Sequence, residues 1–140
     1  MAIEASVLFY LIKLLPEVEN FKCEKMFDLL DMLVDYAEGR AALADHAMGI
    51  AVVSKKIFRV SEIATKKAVR IIWSLCIYSS YVSILREMLQ CGAVSKLCML
   101  QQLRCADKTK QRADEVLKFH ANTFRVSPCL PYLVRNYYAH

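Results

Sequence analysis

The chain has 140 residues, 56% hydrophobic and 24% charged, with a formal net charge of +5. One domain of this length builds its core without needing disulfides. Three glycines and three prolines exclude a linker, a collagen-like chain and a disordered one, and are too few for an all-β protein with a turn every ~8–12 residues. An all-α protein is predicted.

The first element is the apolar run 7–12. Glu4 stands where the basic segment of a signal peptide belongs, Lys13 interrupts the run, and Leu14-Leu15-Pro16 follows in place of a small-residue cleavage site. The run is too short to span a membrane, so it predicts a buried helix. A long helix comes next, with Phe27, Leu30 and Leu33 inward and Val34 and Ala37 continuing the stripe. A short helix over about 40–48 precedes Gly49, which opens a second short helix. The next long helix points Val69, Ile72 and Leu75 inward. A short helix over about 81–89 leads to Gly92 and another short helix, and a third long helix carries Ala113, Val116 and Phe119 inward. Each Gly suits a sharp turn needing positive φ.

These elements form a repeat. The chain matches itself when shifted by 42 to 44 residues: Gly49-Ile50-Ala51-Val52-Val53 recurs as Gly92-Ala93-Val94-Ser95-Lys96-Leu97, and Ser6-Val7-Leu8-Phe9-Tyr10-Leu11 lies one shift earlier. A unit of short, short and long helix in this length range is that of armadillo and HEAT repeats. It buries its apolar face only by stacking on neighbours. The predicted organisation is a solenoid with a partial repeat over 4–37, repeats over 38–79 and 80–123, and a capping tail over 124–140. In the tail, Leu130, Tyr132, Leu133 and Val134 are expected to fold over the last long helix, between and beyond Pro128 and Pro131. A chain starting in mid-repeat suggests a short gene product. It also leaves an apolar edge of Val7, Leu8, Leu11, Ile12 and Leu15, from which self-association is expected.

Charge is uneven. Residues 1–50 carry four Lys/Arg and nine Asp/Glu, a net of −5; residues 51–140 carry fifteen and five, a net of +10. A basic half fits an acidic partner, or simply solvated helix faces. The cluster Lys55, Lys56, Arg59, Lys66, Lys67 and Arg70 is placed to touch phosphate. Nucleic acid is not expected, because few aromatics interleave the cations and Phe58 is expected in the core. No cysteine pair has zinc-knuckle or redox spacing. Cys91, Cys98 and Cys105 recur every seven residues, which on one helix makes a stripe of small apolar thiols. His46 and His120 stand alone, so no metal or cofactor is expected. Without a secretion signal, reduced thiols place the chain in the cytosol or nucleus.

Three runs carry a resemblance to a known family. They are Ala37-Glu38-Gly39-Arg40-Ala41-Ala42-Leu43 followed by Gly49 to Ser61, then Glu87-Met88-Leu89-Gln90-Cys91-Gly92-Ala93-Val94-Ser95-Lys96-Leu97-Cys98, then Ser127-Pro128-Cys129-Leu130-Pro131. In order and separation they resemble the C-terminal armadillo region of plant U-box ubiquitin ligases, over roughly residues 4–135. The resemblance implies an armadillo module that binds proteins destined for ubiquitination, some in plant immune and stress signalling. In the family a U-box recruits the ubiquitin-conjugating enzyme. No U-box pattern is found here: the Pro128-Cys129 pair has the wrong place and order. The chain is therefore expected to be non-catalytic alone. The alternative is an armadillo adaptor without ligase function, competing with full-length relatives.

The long third helices line the concave face of such solenoids. The outward stripe is then Asp28, Asp31 and Asp35 on the first. On the second it is Arg70, Trp73 and Ile77, with Lys66 and Lys67 a turn before. On the third it is Asp114, Leu117 and Ala121, with Lys110 and Lys118 nearby. A groove running from acidic to basic would orient a ligand by its charges. Ile71 to Ile77 resembles the Trp-x-Leu-Ser-Asn signature of armadillo third helices, in which the Trp walls a side-chain pocket and the Asn holds a peptide backbone. Trp73 matches the Trp, although packing between repeats explains it equally. The Asn position is Ile77, and Ala121 in the next repeat, so extended-peptide binding is not implied; a folded partner or an amphipathic helix fits better. No nucleophile constellation, phosphate loop or metal triad is present. Cys105, beside Arg104 and Lys108, is the one thiol placed to accept ubiquitin, and a plain loop thiol is the expected reading.

Overall fold

The computed structural model describes residues 2–79, 82–127 and 132–139. Tyr81, Pro128, Cys129, Leu130 and Pro131 lie outside them, as does the side chain of Leu133. Among the described residues ten helices follow one another: α1 (Ala2–Leu14), α2 (Asn20–Leu33), α3 (Ala37–Asp45), α4 (Gly49–Lys55), α5 (Glu62–Tyr78), α6 (Val82–Gln90), α7 (Ala93–Leu100), α8 (Asp107–Phe119), α9 (Ala121–Arg125) and α10 (Tyr132–Ala139), with a 3-10 turn at Leu15–Glu17. No strand occurs among the described residues. The fold is the all-α armadillo arrangement, in which two short helices and a longer one recur as α3–α4–α5 and α6–α7–α8.

Local chemistry sets the boundaries. Pro16 sits in the first turn of the 3-10 segment that ends α1. Ser61 caps α5, its Oγ accepting from the Ala64 N–H at 3.1 Å. Gly92 adopts φ +82° and turns the chain from α6 into α7. Gly49 has a different role from the one expected: it lies buried at the start of α4 without positive φ, and an added Cβ would meet the Leu43 carbonyl oxygen at 2.7 Å. Close approach, not turn conformation, requires it. The left-handed position in that repeat falls on Phe58, at φ 72°, whose N–H donates to Thr65 Oγ1 at 3.0 Å. Phe58 consequently stands on the surface, 39% exposed, rather than in the core.

The long helices lie side by side, α2 against α5 and α5 against α8. One core runs through the stack, from Leu8, Ile12 and Leu15 through Phe27, Leu43, Ile72 and Leu75 to Leu97, Val116 and Phe124. Burial of this apolar surface is the main stabilising term. At the N-terminal edge, α1 packs on α3. Leu8, Leu11, Ile12 and Leu15 are therefore buried, contrary to the expected open edge; Val7, Phe9, Tyr10 and Leu14 face outward instead. At the other edge α10 packs on α7 and α9. Val134 is buried there, whereas Tyr132 is exposed and takes no part in covering. The Tyr138 hydroxyl donates to the Leu117 carbonyl at 2.5 Å and the Tyr137 hydroxyl to Asp114, tying α10 to α8.

Cys91, Cys98 and Cys105 do not share a helix: the first opens the turn between α6 and α7, the second lies in α7 and the third in the loop before α8. Burial pushes the thiols of Cys76 and Cys98 up to about 12. Cys105 is also raised, chiefly by burial, and this opposes thiolate formation. His120 is buried, with Nε2 2.8 Å from the Cys76 carbonyl oxygen.

Candidate functional site

The face of α2, α5 and α8 is built by helix periodicity. In α5, Ala64, Ala68, Val69, Ile72, Leu75 and Cys76 point into the core. Lys66, Lys67, Arg70 and Trp73 are left on the opposite side. Lys67 pairs with Asp28 of α2. The Arg70 guanidinium reaches two carboxylates, Asp31 and, at 2.9 Å, Asp35. Asp35 stands just past the end of α2. The hydrogen bond to Asp35 holds the Arg70 pKa above its already high ordinary value, against the opposing effect of burial. The expected acidic-to-basic groove is thus altered: the α2 carboxylates are engaged by α5 cations rather than left for a ligand.

Trp73 sits between α5 and α8. Its indole N–H donates to Glu115 at 2.6 Å, and the Arg112 guanidinium lies 5.5 Å from its ring centre. Tyr78 meets the indole edge-on at 5.7 Å, and Arg40 stacks 5.3 Å from the Tyr78 ring. Arg40 is fixed by donating to the Val34 carbonyl at 3.0 Å and to Ser79 Oγ at 3.2 Å. An open hollow of about 500 Å³ results, lined by Asp35, Arg40, Arg70, Trp73, Ser74, Tyr78 and Arg112. Three guanidinium groups face one carboxylate there, beside two aromatic rings. The chemistry of this lining matches that of an acidic or a flat side chain.

The structure brings together Asp28, Asp31, Asp35, Lys67, Arg70 and Trp73. Lys66 is exposed and Ile77 half-buried on the same helix. Asp114 and Lys118 pair with each other at 2.9 Å and belong with α10 through Tyr137. They line a separate cavity of about 510 Å³ with Cys98 and Tyr138. Lys110 is half-buried, its carbonyl accepting from Gln101 at 3.2 Å. Leu117, expected outward, is fully buried, and Phe119, expected inward, is 63% exposed. The inward stripe of α8 runs Thr109, Ala113, Val116 and Leu117. A strict spacing of three slips about 60° per step against 3.6 residues per turn, which carries Phe119 off the face. Arg112, Glu115, Tyr78 and Arg40 were missed by sequence reasoning. The repeat held a signal for two of them: a shift of 42 residues sets Glu115 under Trp73 and Arg112 under Arg70.

No group of three or more His, Cys, Asp or Glu able to hold a metal occurs among the described residues. No helix among them is long and apolar enough to cross a membrane.

Stacked three-helix units with a polar face of long helices define a helical-repeat module of the armadillo type. The chain belongs to the plant U-box protein ARM repeat region family, whose model matches residues 1–138. It is 45% identical to E3 ubiquitin-protein ligase PUB22 of Arabidopsis thaliana over 98% of its own length and 32% of that protein's. Against E3 ubiquitin-protein ligase PUB23 of the same plant it is 44% identical, over 93% of its own length and 33% of the relative's. U-box domain-containing protein 75 of Oryza sativa subsp. japonica is 34% identical over 77% of the chain and 23% of the relative. The chain thus spans between about a quarter and a third of the length of the curated relatives it matches. No solved structure gives a significant match.

Proposed function

We propose that this chain is the substrate-recognition armadillo module of a plant U-box-type ubiquitin-protein ligase. It binds target proteins through the face of α2, α5 and α8, with repeats over 38–79 and 80–123 behind that face. The observation supporting this most is the Trp73 hollow, where Trp, Tyr and Arg side chains cluster. These residue types dominate binding energy at protein interfaces. Asp28, Asp31, Asp35, Lys67 and Arg70 flank the hollow as a polar rim, with Lys66, Ile77, Lys110, Asp114, Leu117 and Lys118 in the same helices. Leu117, being buried, serves by positioning α8. On this reading a U-box binds the ubiquitin-conjugating enzyme and the present residues select the protein to be modified, in the cytosol or nucleus, within defence and stress signalling. The second reading is an armadillo adaptor that competes with full-length ligases and has no ligase activity.

A pull-down from plant extract distinguishes a working face from an idle one. Wild-type chain and the Trp73→Ala/Arg112→Glu variant are compared by mass spectrometry, with helical circular dichroism as the folding control. Proteins retained by the wild type, lost from the folded variant and ubiquitinated by a full-length relative support the module. Identical lists remove the hollow from the mechanism. Retained proteins that no ligase modifies favour the adaptor.

A further inference from the structure

A second surface lies where the long helices begin. Glu62 starts α5, and Trp73 is eleven residues further on, so this edge is about 16 Å along the helix from the hollow. The loops before α5 and α8 enclose a cleft of about 350 Å³, lined by Phe58, Arg59, Glu62, Leu100, Leu103 and Arg104 among others. Leu100 forms a buried apolar floor, and Phe58 and Leu103 are partly exposed at its rim. Phe58 is held there by its left-handed backbone and the bond to Thr65.

The cleft is cationic. Arg59 and Arg104 line it and are exposed, and Lys55 is exposed on the adjoining end of α4. The Lys96 ammonium bridges from α7 to the Ser54 carbonyl at 2.6 Å. Its pKa is lowered, first by burial and then by the nearby charges of Arg59 and Lys55, so like charges are gathered here. Among the described residues no carboxylate pairs with Lys55, Arg59, Lys96 or Arg104, whereas the cations of the long-helix face, Lys67 and Arg70, are paired. Glu62 is the one carboxylate in the lining. Ion pairing within the fold thus does not explain these positive charges.

We infer that the Arg59–Arg104 cleft is a second docking surface, which takes an acidic peptide segment with an apolar side chain set among its carboxylates. The apolar residue enters between Phe58 and Leu103 over Leu100, and flanking carboxylates meet Arg59, Arg104 and Lys55. The concave apolar floor between the cations fits a peptide better than a flat lipid surface. This surface is independent of what binds at the Trp73 hollow.

The probe is a fluorescein-labelled Glu-rich peptide carrying one leucine, with its Gln-rich counterpart as control, titrated by anisotropy against the chain. Binding of the Glu peptide alone, falling with added salt, is expected. Arg59→Glu/Arg104→Glu should weaken it by about tenfold or more, because like charges replace attractions. Glu62→Gln should tighten it, and Trp73→Ala should leave it unchanged. Both arginines are exposed, so folding is expected to survive; if the double variant fails to fold, Glu62→Gln and the leucine-to-serine peptide carry the test. Equal binding of both peptides overturns the proposal. So does indifference to Glu62→Gln or to the arginine pair, or capture of phosphatidylserine vesicles without capture of the peptide.

Discussion

Gly39→Ala separates helix propensity from packing. Gly39 lies in the first turn of α3, where propensity alone favours Ala by about 1 kcal/mol. The structure reverses the sign. An added Cβ would lie 1.8 Å from the Leu33 carbonyl oxygen and 2.6 Å from its carbon, and backbone atoms cannot rotate aside. Restoring ordinary contact at 3.4 Å moves α3 from the end of α2 by about 1.6 Å. That shift strains the Arg40 bond to Val34 and loosens Leu43, which is buried beneath α1. Overpacking of this kind costs about 3 kcal/mol, and after the propensity gain roughly 2 kcal/mol of destabilisation remains. In a domain of this size the melting temperature falls by about 6–8 °C. Thermal unfolding followed by circular dichroism measures it. Gly92→Ala is the control: no atom lies within 4 Å of its added Cβ, so only the φ of +82° opposes it, at about 1 kcal/mol. Gly92→Asn should recover much of that loss, and Gly39→Asn none. A Gly39→Ala protein as stable as the wild type would refute the reasoning.

Four further outcomes are expected. Trp73→Phe removes the N–H bond to Glu115 while keeping a ring in place, and should cost about 1 kcal/mol in urea unfolding. Leu117→Ala, read as core rather than contact surface, should cost about 2–5 kcal/mol by the same assay, whereas Phe119→Ala should change little. Burial raises the Asp114 pKa, but the Tyr137 hydroxyl and Lys118 outweigh it and leave the folded value lowered. The linked stability is therefore full above the ordinary carboxyl pKa of about 4 and is lost as pH falls through the folded value. Proteolysis of α10 should accelerate below about pH 4, and Asp114→Asn should abolish that step. Finally, iodoacetamide at neutral pH should leave Cys76 and Cys98 unmodified until the chain unfolds, since burial holds both thiols protonated; mass spectrometry reads the sites.

The recurrence of short and long helices was readable because helix periodicity is local and the repeat restates it. The tail's apolar residues were legible as a cluster near the end, but not which of them would be covered: Val134 is buried and Tyr132 exposed. What local pattern could not supply was phase. Leu117 and Phe119 are two residues apart, 200° around a helix, so a small error in the stripe exchanges core for surface. Leu8 and Ile12 depended on where α3 would lie. The sign of each charged stripe was legible, but Arg70 with Asp31 and Asp35 needs the register between α2 and α5. The cysteine spacing misled because the turn before α7 and the loop before α8 interrupt the helix it presupposed.

The two junctions of the long-helix face are made of different materials. Between α2 and α5 the ion pairs of Lys67 and Arg70 are partly exposed, so each contributes little and weakens as salt rises, beside a buried hydrogen bond from Ser74 Oγ to the Val34 carbonyl at 3.2 Å. Between α5 and α8 the Trp73 indole N–H donates to the Glu115 carboxylate and the Arg112 guanidinium lies over the same ring, so a single aromatic side chain gathers both charged partners. Rising ionic strength is therefore expected to weaken the partly exposed ion pairs between α2 and α5 first, while the packed apolar side chains beneath both junctions stay in place.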